Sequence, residues 1–207
     1  MSKFITKVEK PKTSILGAIR SDNTGKGRFD LIPPSFYHRC ASIWDDNFLI
    51  EEDTTIDTLI NEALRNIQQI PIASPQEDYL AIAACCLLEA IQIDETKKSY
   101  APIYCWKKNI GYALLAPQGL RRLALVYERG AAMRGERNWE KGFEIGRCID
   151  SSLRHLSQYL DGDREEDHLS QALWNLAAAM HCEEMIFCWL LPKSLDNRPV
   201  YRKTRRP

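Results

Sequence analysis

The chain has 207 residues, 28 Lys and Arg against 28 Asp and Glu, and a hydrophobic fraction of 44%. That length buries a sizeable core in one domain or two closely packed halves, and the balanced charge excludes the bulk positive field of a nucleic-acid-coating protein. No apolar run approaches the roughly 18 residues that span a bilayer, and the N-terminus has no signal-peptide core. Seven scattered cysteines (40, 85, 86, 105, 148, 182 and 188) form no CxxC pair and predict a reducing cytoplasm with thiols packed as small hydrophobes.

Residues 1–27 are polar, rich in Lys and Gly and aperiodic, which predicts a mobile arm. Residues 28–93 then read as one helical unit, with helices over about 34–46, 54–69 and 76–92. Residues 94–112 form a linker containing Trp106-Lys107-Lys108, and residues 113–192 a second unit with helices over about 117–134, 143–160 and 165–181. Residues 193–207 form a basic tail; Asn197 to Pro207 hold five Arg or Lys and two prolines and predict a second mobile arm.

The two units are degenerate copies of one another. Leu31-Ile32-Pro33-Pro34 through Asp45 aligns with Leu114-Leu115-Ala116-Pro117 through Glu128 at an offset of 83, each a proline-led helix start. Glu62 to Gln69 aligns with Ser151 to Gln158, and Glu77-Asp78-Tyr79-Leu80 with Glu166-Asp167-His168-Leu169, both at an offset of 89. An all-α bundle of two pseudo-twofold repeats follows, each burying its apolar face against the other. Arg65 with Asp78 and Arg154 with Asp167 recur in both copies and predict an interhelical ion pair.

The copies differ in polarity. His155, Asp167, His168, Gln171 and Asn175 in the second copy face Asn66, Asp78, Tyr79, Ile82 and Cys86 in the first, so the candidate site belongs to residues 113–192. His168, Gln171 and Asn175 share one helix side. With Glu128, the residues His155, Asp167 and His168 make a candidate divalent-metal or water-activating set. An insertion unique to the second copy, Gly130 to Gly142, brackets Arg134, Arg137 and Lys141 around Asn138 and a surface Trp139, groups that clamp phosphates and stack on a base. The acidic turn Asp161 to Glu166 is expected to cap the following helix.

Three stretches carry a resemblance: Gly25-Lys26-Gly27-Arg28-Phe29-Asp30-Leu31-Ile32-Pro33-Pro34, then Arg137-Asn138-Trp139-Glu140-Lys141-Gly142, then Arg154-His155-Leu156 with Asp167-His168-Leu169 through Asn175. Together they resemble the phage family of dATP/dGTP diphosphohydrolase N-terminal domains, and the last helix also looks like that of MazG-like all-α nucleotide pyrophosphohydrolases. The resemblance implies hydrolysis of a purine dNTP with Mg or Mn: His155, Asp167 and His168 at the chemistry, and Arg134, Arg137, Asn138, Trp139, Lys141, Arg154, Gln171 and Asn175 on the nucleotide. The sequence departs from the MazG pattern of paired carboxylates, since His168 and Gln171 stand where that motif has acids. HD hydrolases are a poorer comparison, because this chain reads Asp167-His168 and not His-Asp. Two other classes remain open: a nucleotide-binding protein that sequesters or senses its ligand, and an interaction protein using the basic tail. The expected partners are a nucleotide and a second copy of the chain, with no membrane and no nucleic acid.

Overall fold

The computed structural model describes residues 12–13, 19–20, 25, 27–45, 54–70, 78–96 and 115–198. Six α-helices make up the fold among these residues: α1 (Pro34–Asp45), α2 (Ile56–Gln69), α3 (Tyr79–Thr96), α4 (Pro117–Arg134), α5 (Ile145–Leu160) and α6 (His168–Phe187). Three 3-10 turns, Phe29–Leu31, Asn138–Lys141 and Lys193–Leu195, and a two-residue antiparallel bridge between Lys12–Thr13 and Ile19–Arg20 complete it. The fold is all-α, and no described helix is long and apolar enough to cross a membrane.

The helix starts follow local chemistry. Pro117 opens α4 in the first turn, where its missing N–H costs nothing. Thr55 caps α2 by accepting from Thr58 N at 3.2 Å, and Asp167 caps α6 by accepting from Ser170 N at 3.2 Å. Capping of α6 thus falls to Asp167, whereas Asp163 in the preceding acidic turn accepts from Glu165 N and faces His168.

Helices α3 and α6 are the central pair. Both are buried around most of their circumference, with Leu80, Leu87, Leu88 and Ile91 on one and Leu169, Leu173, Leu176 and Met180 on the other. Amphipathic α2 lies on α3 and amphipathic α5 on α6, while α1 and α4 each touch both central helices. Helices α3 and α4 approach closely at Gly119, where an added Cβ would stand 2.9 Å from the Leu88 carbonyl oxygen and 3.0 Å from its Cα.

Two arginine bridges tie this arrangement together. Arg39 of α1 donates to both oxygens of Asp78 at the start of α3, and its Nη1 lies 2.9 Å from Glu183 near the end of α6. Arg122 of α4 binds both oxygens of Asp167 at the start of α6, with Nη1 2.8 Å from Asp94 near the end of α3. Each arginine therefore clamps the head of one central helix to the tail of the other. These partners correct the expected pairs: Arg65 bonds Glu62 on its own helix and Arg154 bonds Gln158, because both lie on the solvent side of α2 and α5. The clamps also explain why α3 and α6 run further than periodicity predicts, to Thr96 and Phe187: Asp94 and Glu183 read as polar helix ends but are arginine ligands.

The arms differ from expectation where they are described. Gly25 and Gly27 are held against α4, and Asn197 and Arg198 pack back on α5 and α6, Arg198 bridging Asp196 and Glu183. The linker residues 97–112, like Cys105 and the tail beyond 198, lie outside the described residues.

Replacing Arg122 with Ala removes the guanidinium that Asp167 and Asp94 share and is expected to cost about 2–3 kcal/mol, the cost of a broken buried pair discounted for partial solvation, read as a lower urea midpoint. Burial alone would raise the Asp167 carboxyl, but the hydrogen bonds and charge of Arg122 outweigh it and hold it below the ordinary range. That contribution is complete above the unfolded carboxyl value and lost as pH falls through the lower folded one. The midpoint of the wild type should drop more steeply in acid than that of Arg122→Ala. Gly119→Ala, a gain of up to about 1 kcal/mol in an open helix, should instead destabilise because Leu88 backbone blocks the methyl.

Candidate functional site

One cavity of about 410 Å³ opens between α4, α5, α6 and the turn Asn138–Lys141. Its aromatic wall is Tyr127, Trp139, Phe143 and Trp174, joined in near-perpendicular contacts: Tyr127 to Trp139 at 5.7 Å and Phe143 to Trp174 at 5.7 Å between ring centroids. Trp139, expected at the surface, is 7% exposed. The 3-10 turn folds its indole inward against Tyr127 and His181, and a left-handed Arg137 (φ 56°) followed by Gly142 (φ 86°) lets the chain reverse so tightly. Gly130 does not start a loop, since α4 continues to Arg134. The Tyr127 hydroxyl and the Trp139 Nε1 are enclosed by the packing and have no hydrogen-bond partner among the described residues.

The charged lining has one sign. Arg134, Arg137, Arg147 and Arg154 line the cavity and, among the described residues, no Asp or Glu does. Arg137 is paired with Glu140; Arg154 bonds only the neutral Gln158, and Arg134 and Arg147 have no carboxylate partner among the described residues. Gln171 and Asn175 complete the polar lining from α6, and the Asn175 amide donates to the Gln171 carbonyl at 2.8 Å.

His155, 7% exposed, marks the end of the cavity nearest the α5–α6 turn. Its Nδ1 lies 3.1 Å from His168 Nδ1. Behind it, His168 Nε2 is 3.1 Å from Asp163 Oδ2, an ion-pair distance without hydrogen-bond alignment. Burial, then the Arg154 and His168 charges, hold the His155 imidazole below its ordinary value. Glu166 brings a carboxylate oxygen to within 4.8 Å of ring nitrogens of both histidines.

The structure thus gathers Arg134, Arg137, Asn138, Trp139, Arg154, His155, Gln171 and Asn175 around one space. It places four other candidates elsewhere. Glu128 accepts from Gly25 N at 2.7 Å and Gly27 N at 2.9 Å, so it anchors the N-terminal segment and does not join the histidines. Asp167 is committed to Arg122 and the α6 cap. His168 reaches the cavity only through His155, and Lys141 bonds Asn138 outside it. Glu166 takes the place assigned to the two carboxylates beside the imidazoles.

Sequence reasoning missed Arg147, Ser151, Tyr127, Phe143 and Trp174. The signal was available for two: Arg147 and Ser151 precede His155 by eight and four residues on α5 and so share its side. Leu31 of the first 3-10 turn also lines the cavity, so the entry to the first unit contributes to it.

Glu128→Ala tests the anchoring role. It is expected to speed amide exchange at Gly25 and Gly27 by about tenfold or more, corresponding to the roughly 1.5–3 kcal/mol of a charged hydrogen bond, with little change elsewhere.

No curated protein and no solved structure matches the chain. Residues 106–186, which hold every lining residue except Leu31, match the family described as dATP/dGTP diphosphohydrolase, N-terminal, so the resemblance read from the sequence holds for this segment of the chain.

Proposed function

We propose that the cavity binds a purine deoxynucleoside triphosphate and that the chain hydrolyses it to the monophosphate and pyrophosphate. The observation that carries this reading is the lining: four arginines, no carboxylate and an aromatic wall. Arg134, Arg147 and Arg154, with no carboxylate partner among the described residues, are matched to phosphate oxygens, and a flat aromatic wall suits a base. The matched family's name supports a diphosphohydrolase.

In this reading Arg134, Arg147 and Arg154 hold the triphosphate, with Arg137 beside them. Tyr127, Trp139 and Trp174 contact the base, and Asn138, Gln171 and Asn175 contact the sugar or base edge. Water attacks the α-phosphorus, the bond to the bridging oxygen breaks, and pyrophosphate leaves with the electron pair. Activation of the water is assigned to His155, the only imidazole lining the cavity among the described residues, with His168 behind it. Asp167 supports this chemistry only by fixing the head of α6.

An Mg ion fits these residues poorly, since it prefers an oxygen octahedron and no carboxylate lines the cavity. Two imidazoles and one carboxylate suit Mn and the later transition metals better. The carboxylate-poor lining also favours a second reading, in which the cavity holds a nucleotide without cleaving it.

Incubation with each dNTP and NTP in Mg or Mn, with products separated by chromatography, decides between the two. Hydrolysis should be confined to purine dNTPs. Arg147→Ala is expected to raise KM roughly tenfold or more, as for loss of a charged hydrogen bond, and His155→Ala to lower kcat about 100-fold or more. Nucleotide that co-elutes intact with the protein would establish binding alone.

A further inference from the structure

We propose that His155, His168 and Glu166 form a binding site for one first-row transition-metal dication of the Mn, Co or Zn type, with Asp163 as the outer carboxylate that orients His168. The site rests on the hydrolase reading only in lying beside the cavity; its geometry stands without a nucleotide.

The two ring nitrogens face each other at 3.1 Å, and the three ligand atoms lie within 4.8 Å of one another. Two nitrogens bound at about 2.0–2.1 Å to one tetrahedral ion stand about 3.3–3.4 Å apart, so the imidazoles already sit within a few tenths of an ångström of a shared-ion edge. The carboxylate at His168 Nε2 favours the proton on that nitrogen, which leaves the Nδ1 lone pair directed at His155. The Asp163 carboxylate acts here through its charge at 3.1 Å, without an aligned hydrogen bond. Glu166 is exposed and free to swing toward the pair, whereas both imidazoles are fixed by burial.

A purely structural role for the pair is not required by the packing. The α2–α3 contact is built like that of α5–α6, and at the aligned positions it carries Asn66 and Tyr79. Asn66 spends its amide on Glu62 of its own helix, and neither aligned position carries an imidazole. The histidines are thus an addition to the half that also carries the arginine-lined cavity. Nitrogen donors select against Mg and for the later divalent ions. An ion held there would polarise a phosphate oxygen or acidify a bound water at the cavity end that His155 lines.

The test is titration of the full chain, stripped with chelator and free of nucleotide, with Co2+ followed by visible absorption and with Zn2+ and Mg2+ followed by calorimetry. One equivalent of Co2+ should bind with a ligand-field band, be displaced by Zn2+, and persist in millimolar Mg2+. Asp163→Asn and Glu166→Gln, at the surface, should weaken binding about 10- to 100-fold, and His155→Ala or His168→Ala should abolish it. Should the buried histidine variants fail to fold by circular dichroism, the two acid variants decide the matter. Absence of saturable Co2+ binding, or binding unchanged in Asp163→Asn and Glu166→Gln, overturns the site. Because no nucleotide is present, a failure here leaves the hydrolase reading standing, and metal binding without turnover would do the reverse.

Discussion

Helix α6 is placed by Arg122 at its head and Arg39 at its tail, and α3 by the same two side chains in the opposite order. The central helices are largely apolar and carry little information about their mutual register, since close-packed aliphatic faces can slide with modest loss. The bidentate arginine pairs are directional and fix both ends at once. Everything at the cavity inherits that registration: Gln171 and Asn175 stand on α6, and α5 lies on α6 to bring Arg147, Ser151 and His155 opposite them.

The two sides of the molecule divide their polar groups differently. Its acids are spent on structure, with Asp78, Asp94, Asp167 and Glu183 on the clamps and Glu128 on the amides of the entering chain. The cavity is left with Arg134, Arg147 and Arg154, which have no carboxylate partner among the described residues. A polyphosphate is an economical solution to that imbalance, because one molecule brings several negative oxygens on a flexible backbone to groups spread along two helices. The aromatic wall then gives the uncharged end of the same molecule somewhere dry to lie.

Much of this was legible in the sequence, and the omissions have physical causes. Helical periodicity located all six helices, because α2 and α5 are amphipathic and α3 and α6 are long apolar runs bounded by capping acids. Comparing the two halves picked out His155, Gln171 and Asn175, whose counterparts are apolar or lack an imidazole. It misassigned Asp167, since an acid present in both halves was paired with the arginine nearest in sequence pattern, Arg154, when the bond spans 45 residues to Arg122. It placed Trp139 outside because the surrounding charges look solvated, and a 3-10 turn with one left-handed residue is invisible to periodicity. Arg147 was passed over because one arginine on an amphipathic helix reads as ordinary solvated surface.

The close contact at Gly119 carries a consequence for how such a protein is inherited. The segment that matches a family, residues 106–186, contains α4, α5 and α6 but not α3, on whose Leu88 backbone Gly119 rests. Cut out at those limits, the segment would present to water the faces of α4 and α6 that α3 now covers. The matched segment is therefore smaller than the unit of folding. A genome that acquired the recognisable half alone would need to supply a substitute for α3, whether from another gene or from a copy of the same one.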